Sequence, residues 1–135
     1  MQAAVLNVKL THLSLWTEQR RAHAKYYDKH LADDVRTPVG ASQAKHVYYM
    51  YEIMTQHRDA LQSYLQKQGI HTGIHYPIPL HLQPAYQNLG YQKGSFPVSE
   101  QLAKHILSIP LYPELTKEQQ DYVIDHIKKF HRQYD

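Results

Sequence analysis

The apolar positions change their spacing several times along the chain, and each change marks a boundary between predicted elements. Residues 2–32 contain neither Gly nor Pro, and Leu6, Leu10 and Leu13 recur at helical spacing, which predicts one long helix. Residues 46–54 instead alternate with a period of two, and both sets are largely apolar or aromatic. That alternation predicts a strand that is covered on both faces.

The middle of the chain predicts a helix, a tight reversal and a second strand. Residues 56–68 have helical spacing, and Gly69 is suited to end that helix in the left-handed conformation. Residues 70–76 alternate as a strand. Pro77 and Pro79 then end the strand, because neither has a backbone donor and each favours an extended predecessor.

The last third of the chain predicts two helices around a short extended segment. Ser99 can cap a helix that carries Leu102 and Leu107, and residues 109–113 are extended. Thr116 and Gln119 match a capping box that begins a final helix. The resulting order predicts an α+β fold: a small, mostly antiparallel sheet with helices packed on one face, and a long N-terminal helix.

Composition narrows the class of protein. The 135 residues are enough for one domain, and there is no cysteine. The formal net charge is +3, but basic and acidic residues are interspersed, which indicates solvated helix surfaces rather than a nucleic-acid-binding patch. No apolar run has membrane length, and the first residues do not read as an export signal. We therefore expect a cytoplasmic protein that binds neither nucleic acid nor membrane.

The loop after the strand at 70–76 is the richest candidate for binding, since it carries imidazoles, a phenol and an amide at a strand end. A solvated surface loop is the alternative. Metal binding is disfavoured, because His71 and His75 share a strand face but lie about 13 Å apart on a regular strand. The chain also lacks a Gly-x-Ser-x-Gly elbow and a Gly-rich phosphate loop, so it contains no self-sufficient catalytic set.

Several spaced segments share a family pattern: QAAVL at 2–6, Arg58-Asp59, GIHTGIHYPIPLHLQPAY at 69–86, FPVSE at 96–100 and LSIPLYPELT at 107–116. Together they resemble the C-terminal region of the DegT/StrS family, which are pyridoxal-phosphate-dependent sugar aminotransferases. The similarity extends from about residue 2 to about residue 130. It implies that residues 1–135 are a single small C-terminal domain of fold-type I, with the N-terminal cofactor-binding domain absent.

The resemblance implies a reaction and its partners. In the family, an amino group passes from glutamate to a keto group on a nucleotide-linked sugar, in surface-polysaccharide or amino-sugar biosynthesis. The cofactor, pyridoxal 5'-phosphate, is held by a lysine of the large domain upstream. We therefore expect no cofactor, no catalytic residue and no metal ligand in this chain, which alone should be inactive.

The resemblance also assigns four residues, His75, Tyr76, His81 and Gln83, to the wall of the active site that meets the sugar nucleotide. An imidazole or a phenol there can hydrogen-bond to sugar hydroxyls or pyrophosphate oxygens without acting as the catalytic base. For His81 and Gln83 the alternative is that they brace carbonyl groups of the loop itself. Tyr76 has the alternative of a packed ring.

Two observations leave the substrate and the role open. Tyr49 stands where the family often has His, and Met54 stands where it often has Arg, which predicts a divergent substrate. The alternative to an aminotransferase domain is a stand-alone module that binds a sugar nucleotide or a protein without catalysis.

The N-terminal helix predicts self-association. The first four residues offer no capping side chain, which suggests that the helix continues a larger protein. Leu6, Leu10, Leu13 and Trp16 form an apolar stripe that a large domain would normally cover. We therefore expect a homodimer that forms through this stripe.

Overall fold

The computed structural model describes residues 1–134 and consists of helices around a small sheet. Two short 3-10 helices, Leu80–Leu82 and Pro84–Leu89, lie in the loop between the third and fourth α helices. The α helices and strands are α1 (Gln2–Leu10), α2 (Leu13–Leu31), β1 (Tyr51–Met54), α3 (Arg58–Lys67), α4 (Pro97–His105), β2 (Ile106–Ile109) and α5 (Lys117–Tyr134).

The sheet is antiparallel and centred on two strands. β1 pairs with β2, and Glu52 lies directly opposite Ser108. Single-residue bridges widen the sheet on both sides: Arg36 pairs with Met54, and Gly73 pairs with Ser108. The predicted α+β class, with a small, mostly antiparallel sheet, is confirmed.

Alternation along the two strands separates an apolar face from a polar one. Tyr51 and Ile53 on β1, and Leu107 and Ile109 on β2, are buried against the helices. Glu52 and Ser108 point to the opposite face, because successive residues of a strand alternate in direction. The helices supply most of the remaining core through Ala24, Tyr27 and Leu31 of α2, Leu61 and Leu65 of α3, and Val123, Ile124, Ile127 and Phe130 of α5.

Two buried tyrosines fasten helix α2 to the sheet. The Tyr51 hydroxyl donates to Asp28 over 2.5 Å, and the Tyr27 hydroxyl donates to the Pro110 carbonyl over 2.9 Å. Burial raises the pKa of both hydroxyls, and for Tyr51 the Asp28 carboxylate raises it further. Both phenols therefore remain neutral donors.

The helix predicted over residues 2–32 is confirmed except at one interruption. Helical bonding breaks at Thr11 and His12, where the Thr11 hydroxyl donates to the Val8 carbonyl over 2.7 Å. A side-chain hydroxyl that binds a nearby carbonyl competes with regular helix bonding. No residue of α1 is buried, whereas α2 packs firmly through Ala24.

The strand predicted over residues 46–54 is wrong in its first half. Tyr48 has a φ of +47°, in the left-handed region, and its N–H donates to Nδ1 of His46 over 2.9 Å. A left-handed residue cannot continue an extended strand, so β1 begins only at Tyr51. Val47 and Tyr49, which the alternation placed beside Tyr51, are consequently exposed.

Three further boundaries differ from the predictions. Residues 70–76 make only the Gly73 bridge and do not form a regular strand. Helix α4 begins at Pro97 without a side-chain cap, rather than after Ser99, because proline is pre-organised for the first helical turn. Strand β2 covers Ile106–Ile109, so it overlaps the predicted extended segment at 109–113 only at Ile109.

Candidate functional site

The polar face of the sheet borders an open cavity of about 270 Å³. Glu52 of β1 lines it, together with His75 and Tyr76 from the loop that crosses this face. Leu102 of α4 and Ile106 of β2 supply apolar lining. The cavity thus combines a few polar groups with apolar walls, as binding sites for small molecules commonly do.

A chain of hydrogen bonds joins three side chains at this cavity. The Ser108 hydroxyl donates to Oε1 of Glu52 over 3.3 Å, and its oxygen lies 2.9 Å from Nδ1 of His75. The sheet register explains the contact, because Glu52 and Gly73 both lie opposite Ser108, and His75 follows Gly73 by two residues. The chain bends at His75, and the ring lies beside Gly73 and within hydrogen-bonding distance of Ser108.

Gly73 leaves space for the imidazole of His75. A Cβ atom at position 73 would lie 2.6 Å from Cε1 of His75 and 3.3 Å from its Nδ1. Real Cβ atoms essentially never approach a neighbouring atom to 2.6 Å. The ring of His75 therefore lies over the bare Cα of Gly73, and this close approach requires glycine.

Tyr76 presents an open aromatic surface beside His75. Its side chain is 72% exposed, and its ring meets the His75 ring edge-on with centroids 5.9 Å apart. The structure therefore brings two of the four predicted site residues together at the cavity.

His81 lies elsewhere, in the body of the loop. It is buried, its Nε2 lies 3.0 Å from Oε1 of Glu100, and its ring packs edge-on against Phe96. Glu100 also accepts the Gly94 amide N–H over 2.7 Å. The Gly94 amide first, and then the His81 imidazole, lower the pKa of the Glu100 carboxyl. His81 thus fastens the loop to helix α4.

Gln83 also supports the loop. Its side-chain amide donates to the carbonyl of Ile78 over 3.4 Å. Gln83 makes the contact that the alternative predicts, whereas His81 contacts the Glu100 carboxylate of α4 rather than a carbonyl of the loop. Neither residue lines the cavity that His75 and Tyr76 share. Substrate contact by all four residues stays a prediction.

A second cavity of about 330 Å³ continues along the same face. It shares Glu52, Leu102 and Ile106 with the first cavity, and it adds Arg36 and His46. We call the two cavities together the polar-face groove. Sequence reasoning missed Glu52, Arg36 and His46, because only the register of β1 and the turn at Tyr48 bring them to this face.

Met54 and Tyr49 have different positions relative to the groove. Met54 lines the second cavity, whereas Tyr49 is 80% exposed and lies outside both sets of lining residues. Of the two departures from the family pattern, Met54 is the one that alters the groove wall.

His71 and His75 do not share a face, contrary to the alternation. His71 lines a separate apolar groove with Tyr112 and Tyr122, because residues 70–76 do not follow a regular strand. Within residues 1–134, no three His, Asp or Glu side chains are arranged to hold a metal ion. A larger cavity of about 610 Å³, lined by His57, His105 and His131, contains none of the predicted site residues.

Each helix within residues 1–134 is too short or too polar to cross a membrane.

Comparison with known proteins decides the family. The model of the DegT/DnrJ/EryC1/StrS aminotransferase family matches residues 1–128. The chain belongs to this family. The resemblance seen in the spaced sequence segments is therefore confirmed.

Similar proteins include sugar transaminases. The chain is 39% identical to a dTDP-3-amino-3,4,6-trideoxy-alpha-D-glucose transaminase of Streptomyces venezuelae, over 100% of this chain and 36% of that protein. It is 48% identical to a "pleiotropic regulatory protein" of Geobacillus stearothermophilus, over 99% of this chain and 37% of that protein. The chain thus spans about a third of the length of the curated relatives it matches.

Solved structures support the same conclusion. The crystal structure of S. venezuelae DesV in complex with a ketimine intermediate superposes with a TM-score of 0.93 at 39% identity. The superposition covers 97% of this chain and 36% of DesV. The fold is therefore that of about a third of an aminotransferase.

Proposed function

We propose that this chain is the C-terminal small domain of a sugar-nucleotide aminotransferase. In that enzyme, an amino group passes from glutamate to the keto group of a nucleotide-linked sugar, in surface-polysaccharide or amino-sugar biosynthesis. The family match over residues 1–128 and the transaminase names of relatives support this assignment. A cytoplasmic location is part of the proposal, since nucleotide sugars are cytoplasmic metabolites.

The proposal depends on the imidazole of His75, which surrounding residues hold in place at the polar-face groove. His75 is held by Ser108 and lies over Gly73, with the Glu52 carboxylate behind the serine. Tyr76 adds an exposed aromatic ring at the same place. These groups can orient a polar ligand by hydrogen bonds and ring contact, while proton transfer and covalent chemistry take place on groups of the parent enzyme.

The residues of the groove do not fit the cofactor itself. Pyridoxal phosphate supplies the electron-accepting ring on which amino transfer depends, and it needs a lysine amine and a phosphate cradle. No lysine among the described residues lines the polar-face groove. Arg36 does line it, but the Arg36 side chain is exposed to solvent. We therefore assign the groove to the substrate side and the cofactor to the large domain of the parent enzyme.

A domain exchange tests the proposal. The matching third of the S. venezuelae transaminase would be replaced by this chain, and the chimera assayed for amino transfer between glutamate and a dTDP-linked keto sugar. We expect transfer, and we expect His75→Ala in the chimera to lower kcat/KM about tenfold, since one substrate hydrogen bond is worth about 1.4 kcal/mol. His71→Ala is the matched control, because His71 lines another groove.

Two results would count against the proposal. One is a folded, cofactor-loaded chimera that transfers no amino group; the other is equal activity in the His75→Ala and His71→Ala chimeras. The claim of no cofactor in the isolated chain has its own test. Pyridoxal phosphate followed by borohydride should leave no stoichiometric adduct at a single lysine, and such an adduct would overturn the claim.

A stand-alone binding module is the second candidate. The Geobacillus stearothermophilus relative is named a regulatory protein rather than a transaminase, which supports a non-catalytic role, but this chain covers only 37% of it, so the name does not bear on whether the module stands alone. The gene sequence upstream of the Met1 codon discriminates the two, because an aminotransferase requires an upstream frame that encodes the cofactor lysine. Calorimetry adds a second criterion: micromolar affinity of the isolated chain for a nucleotide sugar favours the module.

We also propose that the isolated chain forms a homodimer through α1. Its Val5, Leu6, Val8 and Leu10 side chains are each more than half exposed, and Leu13 and Leu15 extend the apolar surface into α2. Exposed apolar side chains on several sides of α1 favour association. Light scattering should show a dimer, and Leu6→Lys should give a monomer; a monomeric wild type at high concentration would contradict the proposal.

A further inference from the structure

We propose that Glu52 and Ser108 are positioning residues that hold His75 in the tautomer protonated at Nδ1. Nε2 of His75 then carries the lone pair and accepts a hydrogen bond from the ligand. The ligand group recognised there is a donor, such as a sugar hydroxyl, rather than a phosphate oxygen. The role toward substrate rests on the proposed function, whereas the tautomer follows from contacts within the chain.

Counting protons along the hydrogen-bond chain fixes its direction. A serine hydroxyl has one proton, and an ionised carboxylate only accepts. The Ser108 proton therefore lies on the 3.3 Å contact with Glu52, and the Ser108 oxygen accepts the proton on Nδ1 of His75 over 2.9 Å. The opposite direction would place two oxygen lone pairs against each other between Ser108 and Glu52.

Burial and backbone pairing hold Ser108 in this position. Ser108 is only 8% exposed, and its backbone N–H and C=O both pair with Gly73 over 2.8 and 3.0 Å. Glu52 lies opposite it in the sheet register. Because Gly73 has no Cβ, the His75 ring approaches closely enough to donate to a lone pair of the serine oxygen.

His81 in the same loop has the opposite arrangement. Its Nε2 meets Oε1 of Glu100 directly over 3.0 Å, so the carboxylate selects the tautomer protonated at Nε2. In both cases the ring nitrogen that faces the acceptor carries the proton, and the tautomers differ because His75 presents Nδ1 to Ser108 whereas His81 presents Nε2 to Glu100. His81 serves as an internal control.

Long-range 15N–13C correlation spectra of the labelled full chain test the proposal without any ligand. At about pH 8.5, roughly two units above the ordinary histidine pKa, neutral imidazoles report which nitrogen carries the proton. We expect Nδ1–H for His75 and Nε2–H for His81. Glu52→Leu should convert His75 predominantly to Nε2–H, because Ser108 is then free to donate to Nδ1, while His81 stays unchanged.

Two serine variants separate positioning from packing. Ser108→Ala should also release His75 to Nε2–H, whereas Ser108→Thr retains a hydroxyl and should restore the Nδ1–H form. Nε2–H in the wild type, or an unchanged tautomer in Glu52→Leu, would overturn the proposal. If the tautomer is found but the His75→Ala chimera remains fully active, the inference stands and the proposed substrate role fails.

Discussion

Replacing Gly73 by alanine perturbs the candidate site at a single, defined contact. The added Cβ would lie 2.6 Å from Cε1 of His75, so the ring must retreat by about 0.8 Å to reach ordinary contact at 3.4 Å. Its 2.9 Å bond to Ser108 is lost in that movement. Gly40→Ala is the matched control, because a Cβ at Gly40 meets nothing within 4 Å.

The two variants should differ in stability by the value of that bond. Either alanine restricts the unfolded chain and raises the free energy of unfolding by about 0.4–1 kcal/mol. Gly73→Ala also loses one hydrogen bond, at about 0.5–1.5 kcal/mol. Ser108 keeps Glu52 as a partner, so no buried group is left unpaired. We expect Gly73→Ala to be less stable than Gly40→Ala by about 0.5–1.5 kcal/mol.

Urea unfolding followed by circular dichroism measures the difference, and imidazole NMR resonances report on the ring. The resonances of His75 should change in Gly73→Ala and remain as in the wild type in Gly40→Ala. Equal unfolding midpoints and m-values for the two variants, with unchanged His75 resonances, would show that the Gly73 Cβ does not displace the His75 ring. A loss larger than about 3 kcal/mol would indicate that the ring cannot move and that the overlap itself destabilises the fold.

Three further predictions concern the scaffold of the site. The lowered pKa of Glu100 stabilises the fold above the ordinary carboxyl pKa of about 4.3, and this contribution is lost as pH falls through the lowered value. Below about pH 4.5, the free energy of unfolding should therefore fall more steeply with decreasing pH in the wild type than in Glu100→Gln. An equal pH dependence of the two proteins would contradict this. Thr116→Ala should lower the free energy of unfolding by about 1 kcal/mol, measured with urea, because it removes the cap of α5. Thr116→Ser keeps the hydroxyl and is the control, so an equal loss in both variants would refute the capping role. Phe130→Ala should cost about 3–5 kcal/mol, because the ring is fully buried, and a loss below 1 kcal/mol would contradict the described core.

Elements governed by local chemistry could be predicted from the sequence. Gly69 ends α3 with φ +74°, and the Ile70 N–H bonds to the Leu65 carbonyl, as expected for a left-handed glycine cap. Thr116 and Gln119 form the predicted reciprocal capping box. In both cases the residues that decide the structure lie within a few positions of each other.

Features governed by tertiary contacts could not be predicted. The left-handed Tyr48 is stabilised from helix α2, where Arg21 donates to the His46 carbonyl over 2.9 Å from 25 positions away. The same limit applies to the candidate site. His75 and Tyr76 were found through the family pattern, but Glu52 joins them only through its register with Ser108.

We propose that this chain supplies one wall of a sugar-nucleotide site, and an NMR titration of the labelled chain with dTDP-glucose provides the test. We predict a Kd of about 1 mM or weaker, because a single open wall provides few contacts, with the largest shifts at Glu52, His75 and Tyr76. A micromolar Kd, or shifts centred on the cavity lined by His57 and His105, would be inconsistent with a single open wall at the polar-face groove.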